Sequence, residues 1–291
     1  MHSRQVEVDG RTLHLLEAGS QGPEVVLLHA LPTHAQLWRH VIPRLAPHVR
    51  VVAPDFLGFG RSEQRLDDDY GLAAHAARLA RLLDVLSVRS PILVGLDLGL
   101  LVALQHVRAH PDRVRGLVMM EAFFLRMADS WPRLPLAVRA QLWLARVPAI
   151  ARAAIVGDAR AVEKYVRGAV LRPLADDEVA LYTQPLSDPR VRAAVWLHGM
   201  GATKIRRHSA APGDTVALID AAAEALERVT CPKVLLTATP GAVVTPPVIA
   251  LARERLPDLE VVPIGHGRHL LPEDRPAEIA AAILNLARRV G

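Results

Sequence analysis

The chain has 291 residues, enough for one large α/β domain with an inserted segment but too few for two full domains joined by linkers. Apolar residues make up 51% of it, yet charges or prolines interrupt every long apolar stretch, so we expect no membrane-spanning helix. The net charge of +5 comes from arginines scattered among acidic residues with few aromatics, which argues against nucleic-acid binding. No apolar signal core follows Met1, so we expect a cytoplasmic protein. Cys231 is the single cysteine, which excludes an internal disulfide and a metal site built on cysteines, and we expect neither metal nor cofactor.

Short apolar runs alternate with helical patterns along the chain, which is typical of a parallel sheet covered by helices. Leucines at helical spacing predict a helix around 79–86, and a second periodic pattern after Pro276 predicts a helix over 279–290. The predicted strands are 25–28, 49–53, 92–94, 117–120, 234–236 and 261–264.

The loop after the first predicted strand reads His29-Ala30-Leu31-Pro32. It matches a His-Gly-X-Pro loop with alanine in place of glycine, and such loops supply one backbone N–H of an oxyanion hole. Leu31 is therefore predicted to supply this N–H. Leu98, which directly follows Asp97 in the chain, is predicted to supply the second. We expect His29 to hold the loop together rather than to transfer protons.

The third predicted strand runs into Gly95-Leu96-Asp97-Leu98-Gly99, just before a helix. Glycine on both sides permits a tight strand-to-helix turn that exposes the central side chain above the edge of the sheet. Most sequences with this pattern carry serine at the centre, whereas here Asp97 is the candidate nucleophile. The alternative is that Asp97 merely caps the following helix.

Glu121 directly follows the fourth predicted strand, and the carboxyl end of a parallel strand faces the usual site edge of such a sheet. The turn after the next core strand, 239–246, contains no acidic residue. Glu121 is therefore predicted to be the acid that orients the catalytic base. The alternative is a carboxylate that caps the first helix of the inserted segment.

The region from about Arg126 to Ala211 contains no convincing strand and is broken by six prolines. We predict a helical cap over 126–211, inserted between two parts of one core, 1–125 and 212–291. Its apolar character predicts a small apolar organic substrate. The cap residues that could contact the substrate or its leaving group are Trp143, Tyr165, Tyr182, Trp196 and His208.

Two histidines, His266 and His269, follow the last predicted strand. A histidine on such a loop can reach the nucleophile and act as a general base. His269 immediately precedes the Leu-Leu-Pro-Glu-Asp-Arg-Pro run that leads into the final helix, and it is the predicted base. His266 is interpreted as a neighbour.

Taken together, these segments resemble the haloalkane dehalogenase and epoxide hydrolase branch of the α/β hydrolases, and most of all the dehalogenases whose acid follows the sixth strand. The resemblance implies an α/β-hydrolase fold, in which a mostly parallel, doubly wound sheet carries an inserted helical lid. It also implies a triad of Asp97, His269 and Glu121 that works through a covalent ester with water as co-substrate. The segments that carry the resemblance are 29–33 with Trp38-Arg39, 53–62, the Asp97 turn, Met120-Glu121, 172–174, 239–241 and 269–276.

Leu31 and Leu98 stand where that family has the asparagine and tryptophan that bind the leaving halide. Neither leucine side chain can donate a hydrogen bond, and an uncompensated charge in a dry pocket costs several kcal/mol. The sequence therefore favours opening of an epoxide or a related C–O electrophile. The alternatives are haloalkane dehalogenation with another donor such as Trp143 or Trp196, a cofactor-independent oxygenase, and a non-catalytic ligand receptor.

Overall fold

The computed structural model describes residues 1–65, 67–144, 159–192 and 215–291. They form an eight-stranded sheet in the order β1-β2-β4-β3-β5-β6-β7-β8, in which β2 runs antiparallel to its two neighbours and all later pairs are parallel. The strands are β1 (His2–Val8), β2 (Arg11–Ala18), β3 (Glu24–Leu28), β4 (Arg50–Pro54), β5 (Ile92–Leu96), β6 (Gly116–Met120), β7 (Lys233–Pro240) and β8 (Leu259–Gly267).

The parallel strands carry the core of the protein. Every residue of β5 and β6 is buried, as expected for strands covered by helices on both faces, where apolar runs replace apolar–polar alternation. The six predicted strands correspond to β3 to β8, so that part of the prediction is confirmed. The carboxyl ends of these strands meet at one edge of the sheet, and this edge bears the residues that the sequence singles out.

The hairpin of β1 and β2 was not predicted. The two strands pair antiparallel around Asp9-Gly10, and both turn residues have positive φ angles of 49° and 72°. An Asp-Gly pair between two strand-forming runs is a strong local signal for a two-residue hairpin, because such turns need positive φ at both positions. The signal was therefore present in the sequence.

Helices cover both faces of the sheet. Both helices predicted from periodicity are present, and the leucines and isoleucines that define them are mostly buried. The α-helices are α1 (Ile42–Leu45), α2 (Leu72–Val85), α3 (Leu98–Ala109), α4 (Met127–Ser130), α5 (Leu136–Leu144), α6 (Ala159–Gly168), α7 (Asp176–Thr183), α8 (Thr215–Arg228), α9 (Pro246–Arg255), α10 (Leu271–Asp274) and α11 (Pro276–Val290). The described residues also form short 3-10 helices at Ala35–Trp38, Pro111–Arg113, Trp131–Arg133 and Pro185–Ser187.

Between β6 and β7 the described residues form helices and no strand. The helical insertion comprises α4 to α7 and starts close to the predicted position 126. Its predicted end at 211 lies outside the described residues, so the exact cap boundaries stay a prediction.

The core continues from α8, the next described helix. This helix packs against α3, where Gln105 donates a hydrogen bond of 2.8 Å to the backbone oxygen of Leu218. In the described part of the chain, no helix combines the length and the apolar character needed to cross a bilayer.

Candidate active site

Asp97 lies at the sharp turn between β5 and α3. Its backbone has φ 53° and ψ −120°, a conformation that is unusual for a residue with a side chain and that marks a strained turn. Although Asp97 occupies the N-cap position of α3, its side chain makes no capping hydrogen bond. The carboxylate instead projects over the sheet edge, which favours the nucleophile interpretation over the helix-cap alternative.

The glycines around Asp97 are required by close backbone packing. A Cβ atom on Gly95 would lie 2.5 Å from the Cα of Leu100, and one on Gly99 would lie 2.2 Å from the backbone oxygen of Leu28. Both distances are far below van der Waals contact, and both contacts are to backbone, which cannot move aside easily. The Gly-X-Asp-X-Gly spacing is thus what allows β5, α3 and the end of β3 to meet beneath the carboxylate.

Replacing Gly99 by alanine is expected to lower the free energy of unfolding by about 3 kcal/mol or more, because the added methyl group overpacks against the backbone at Leu28. Gly168→Ala is a matched control, since a Cβ at Gly168 would meet no atom within 4 Å. We expect that control to change stability by less than about 0.5 kcal/mol. Urea unfolding monitored by circular dichroism measures both, and equal midpoints would contradict the packing argument.

The loop after β3 brings the predicted oxyanion-hole donor to Asp97. The backbone N–H of Leu31 donates to Oδ1 of Asp97 at 3.0 Å, and the Leu98 N–H also stabilises this carboxylate. His29 holds the loop: its Nε2 accepts from the N–H of Phe56 at 3.0 Å, and its Nδ1 donates to the oxygen of Ala30 at 3.0 Å. Burial lowers the pKa of His29 to about 4, so its ring is neutral at physiological pH.

The loop after β8 places His269 beside the same carboxylate. Its Nε2 lies 3.6 Å from Oδ2 of Asp97, an ion-pair distance that is longer than a direct hydrogen bond. Only 11% of the His269 side chain is exposed, whereas 33% of the Asp97 side chain is. His266, the competing histidine, is exposed within β8. The structure therefore brings one of the two candidate bases to Asp97.

Glu121 lies buried near this pair, just after the end of β6. Its Oε2 accepts hydrogen bonds from the backbone N–H groups of Ala242, Val243 and Val244 at 3.0, 2.6 and 3.3 Å. Its Oε1 is also buried and has no partner among the described residues. Glu121 thus accepts from the turn after β7, which contains no acid of its own, and one oxygen is left available to a neighbouring donor.

The charges of these three groups are coupled. Burial raises the pKa of Asp97. The close approach and charge of His269, and then the backbone N–H groups of Leu98 and Leu31, outweigh burial and hold the pKa below its ordinary value. Burial lowers the pKa of His269, but Asp97 and, to a smaller extent, Glu121 more than compensate, so the net pKa is raised. The resting site therefore favours a carboxylate at Asp97 next to a histidine that protonates readily.

The Asp97→Asn change is expected to lower the pKa of His269, because it removes the negative charge that raises this pKa and leaves the opposing effect of burial. A titration of the histidine ring protons by NMR spectroscopy in both proteins measures the shift. The resonances of the buried His106, whose pKa burial lowers to about 4 and to which Asp97 does not contribute, give an internal reference. An unchanged or higher pKa for His269 in the variant would contradict the coupling.

Among the predicted cap contacts in the described part of the chain, Tyr165 lies beside Asp97 and His269. Its ring packs edge-on against His269, with the ring centroids 6.4 Å apart and the planes at 71°. Burial and then the Asp97 carboxylate raise the pKa of Tyr165 well above its ordinary value, so the phenol keeps its proton. No described residue hydrogen-bonds to its hydroxyl, which leaves this donor available within the described part of the site.

Tyr182, by contrast, is buried within a cluster of ion pairs that joins the helical insertion to the core. This ion cluster consists of Arg39, Arg172, Glu178 and Glu273. The Tyr182 hydroxyl donates to Glu273 and accepts from Arg39 at 3.0 Å, so it is already engaged on both sides. The side chain of Trp143, together with Trp196 and His208, lies outside the part of the chain that the structure describes. Of the two predicted cap contacts that are described, Tyr165 is the one placed against the candidate catalytic residues.

The ion cluster supplies two acids to the one group of potential metal ligands found in the described part of the chain. His40, Glu178 and Glu273 offer three ligand atoms within 4.8 Å of one another. However, the guanidinium groups of Arg39 and Arg172 bind both carboxylates. Arg39 lies 3.0 Å from Glu178, and Arg172 lies 2.7 Å from Glu178. The two arginines also form ion pairs with Glu273. Cations of the protein itself thus neutralise these acids, and the cluster fastens the insertion to the core.

Another acid, Asp274, fastens the helical insertion to the loop that carries His269, the candidate base. Its carboxylate accepts from the N–H of Arg268 at 2.9 Å and from the N–H of Leu171 at 2.8 Å. The N–H of Leu270 donates to the oxygen of Ala169 at 2.9 Å. Asp274 was missed as a positioning residue, although it lies in the 269–276 motif, because nothing in the motif indicates which distant backbone groups it binds.

Comparisons with known proteins agree with the fold. A family model described as the alpha/beta hydrolase fold matches residues 23–276. A haloalkane dehalogenase of Mesorhizobium japonicum is 33% identical over 282 residues, covering 96% of this chain and 89% of that protein.

Solved structures show the same relationship. The haloalkane dehalogenase DbeA of Bradyrhizobium elkani superposes with a TM-score of 0.90 at 30% identity, covering 99% of this chain and 98% of that one. The haloalkane dehalogenase DatA of Agrobacterium tumefaciens superposes with a TM-score of 0.86 at 28% identity, covering 100% and 97%. The chain therefore belongs to the α/β-hydrolase fold family and is a hydrolase similar to haloalkane dehalogenases.

Proposed function

We propose that this protein hydrolyses the carbon–halogen bond of small apolar haloalkanes through a covalent ester on Asp97. The observation that carries the proposal is the carboxylate itself, which stands at the strained turn with Oδ1 bound by the Leu31 N–H and Oδ2 facing His269. The similarity to haloalkane dehalogenases over nearly the whole chain supports the same reaction class.

In the first step, Oδ2 of Asp97 attacks the carbon that bears the halogen. The attacking electron pair forms the new C–O bond, and the electron pair of the breaking bond leaves with the halide. Oδ1 is held by the backbone donor at Leu31 and becomes the carbonyl oxygen of the alkyl ester. A carboxylate with a lowered pKa stays ionised over a wide pH range, so the nucleophile is ready without a proton transfer.

In the second step, His269 takes a proton from water while the water oxygen adds to the ester carbonyl. The N–H groups of Leu31 and Leu98 stabilise the resulting oxyanion. When it collapses, the bond between the carbonyl carbon and the alkoxy oxygen breaks, and the imidazolium of His269 gives its proton to that oxygen, so the alcohol leaves. The new carboxyl group loses its remaining proton to solvent, which restores the Asp97 carboxylate. Esterification has removed the negative charge that raises the pKa of His269, so the histidine loses its proton more readily at the stage where a neutral base is needed.

Glu121 supports the base in this scheme. Its buried Oε1 is available to accept from Nδ1–H of His269, while Oε2 is held by three backbone N–H groups after β7. That arrangement directs Nε2 of His269 toward water and stabilises the imidazolium that forms when the proton is transferred. Its negative charge already contributes to the raised pKa of His269.

The comparisons change the preference drawn from sequence. Leu31 and Leu98 favoured an epoxide substrate because neither side chain can hold a halide, but the relatives and structural neighbours are haloalkane dehalogenases. Epoxide opening remains a second candidate on one observation, the hydroxyl of Tyr165 beside His269. A phenol that keeps its proton could donate to the oxygen of an opening epoxide.

The test is turnover of a matched substrate panel by the unmodified protein. The panel comprises 1-chlorobutane, 1-bromobutane, 1-iodobutane and a terminal epoxide of similar length. Each compound is assayed for halide release, for alcohol or diol, for oxygen consumption and for binding. Halide release with stoichiometric alcohol supports dehalogenation, whereas diol formation alone supports the epoxide candidate. Oxygen consumption without an ester would indicate an oxygenase, and tight binding of all four without turnover would indicate a receptor.

A further inference from the structure

We propose that the hydroxyl of Tyr165 is the donor that stabilises the departing halide in this chain. The inference rests on the proposed function and names the group that does what the side chains of Leu31 and Leu98 cannot. Three observations support it: the position of Tyr165, its protonated hydroxyl and the engagement of Tyr182 elsewhere. The direction in which a halide must depart adds a chemical argument.

A donor is needed because displacement develops a full negative charge on the halogen. In an in-line displacement the halide moves away from the attacking oxygen, so a donor must face Asp97 from across the bound carbon. Asp97 follows β5 at the sheet edge, and described residues of the helical insertion, Tyr165 and Ala169, contact the loop that carries His269. A donor on the insertion therefore suits the direction of departure.

Tyr165 meets this requirement. It lies on α6, and its ring is edge-on to His269 at a centroid distance of 6.4 Å. One turn later, the N–H of Ala169 donates to the backbone oxygen of Tyr165 at 2.8 Å, and the oxygen of Ala169 accepts from Leu270 at 2.9 Å. The tyrosine is thus fastened to the very loop that carries the base, which fixes its position relative to the reacting atoms.

Its chemical state also suits the role. The negative charge of Asp97 contributes to the raised pKa of Tyr165, as expected for a hydroxyl within electrostatic range of the nucleophile. The phenol stays protonated throughout the first step, donates a hydrogen bond to the halide and transfers no proton, because a hydrogen halide is a far stronger acid than a phenol. Tyr182 cannot substitute, since its hydroxyl is held by Glu273 and Arg39.

The first experiment measures the dependence on leaving group in Tyr165→Phe, which removes only the hydroxyl. Single-turnover halide release isolates the displacement step. We expect a loss of about 100-fold with 1-chlorobutane and less than about 10-fold with 1-iodobutane, since chloride is the stronger hydrogen-bond acceptor and the poorer leaving group. Tyr182→Phe is the matched control, expected to lower the melting temperature without changing the ratio of chloride to iodide rates.

The second experiment does not depend on turnover. Crystals of both proteins are soaked in sodium bromide, and the anomalous signal of bromine locates the ion. We expect a bromide within hydrogen-bond distance of the Tyr165 hydroxyl in the unmodified protein and none there in Tyr165→Phe. An unchanged rate ratio, or a bromide bound elsewhere or nowhere in the site, would overturn the role of Tyr165. Failure of the unmodified protein to release halide counts instead against dehalogenation, so the two failures are distinguishable.

Discussion

Replacing Asp97 by asparagine should lower the rate of halide release by about 10⁴-fold or more, since an amide is a very poor nucleophile and no other carboxylate of the described chain replaces it at the turn after β5. The fold should survive, because asparagine has the same shape and can still accept from the Leu31 N–H. Halide release and thermal unfolding measured side by side separate loss of chemistry from loss of structure.

The matched control is Asp112→Asn, the same chemical change at an exposed carboxylate in the 3-10 helix Pro111–Arg113. It should leave the rate within about twofold of the parent. Mass spectrometry must show that the introduced asparagine has not deamidated back to aspartate during the assay. An Asp97→Asn protein that is intact by this criterion and as active as the parent would exclude the covalent ester.

Replacing His269 by glutamine should leave the first step working and stop the second. We expect one equivalent of halide per protein molecule, followed by steady turnover lowered by about 10³-fold, because no base remains to activate the hydrolytic water. The protein should gain the mass of one alkyl group, located on the peptide that contains Asp97. Denaturing mass spectrometry after a short incubation with 1-bromobutane measures this gain.

His266→Gln is the control from the same segment of the chain, since that side chain is exposed within β8. It should show full turnover and no trapped adduct. If His269→Gln turns over normally, or if an alkyl group accumulates on a residue other than Asp97, the assignment of base and nucleophile is wrong. If it forms no adduct while the unmodified protein releases halide, His269 is needed before the ester forms.

The coupling between Asp97 and His269 also predicts how the second step depends on pH. Asp97 and His269 perturb each other's pKa in the resting site, with the carboxylate lowered and the imidazole raised. In the proposed mechanism, esterification removes the negative charge of Asp97, so the proton affinity of His269 falls just before it acts as a base. The acid limb of the second step should therefore lie at a lower pH than the pKa of His269 titrated in the free protein.

Most of the fold followed from local patterns. Strands β3 to β8 were predictable because buried parallel strands are continuous apolar runs, and α2 and α11 because their apolar residues recur at helical spacing. The hairpin of β1 and β2 was missed although Asp9-Gly10 signalled it. The exposed outer strand β1 has no buried apolar run, so a search for such runs passes over it.

The partners of the site residues were less predictable. The sequence indicated that Glu121 and His269 belong together, but not that Glu121 binds three backbone N–H groups after β7 with one oxygen and leaves the other available. Likewise, Tyr165 and Tyr182 are equivalent candidates in the sequence. Their surroundings differ because the ring of one packs against His269 and the hydroxyl of the other is enclosed by the ion cluster.

The sequence by itself determined the reactive turn, since the Gly-X-Asp-X-Gly spacing is a local requirement: a Cβ at either glycine would collide with nearby backbone. It also determined which strand ends carry Asp97, Glu121 and His269. Only the tertiary structure decided which groups meet, because the contact between Leu31 and Asp97 spans 66 residues of chain and that between Tyr182 and Glu273 spans 91. Such contacts depend on how helices and loops pack across the sheet, which no local pattern encodes.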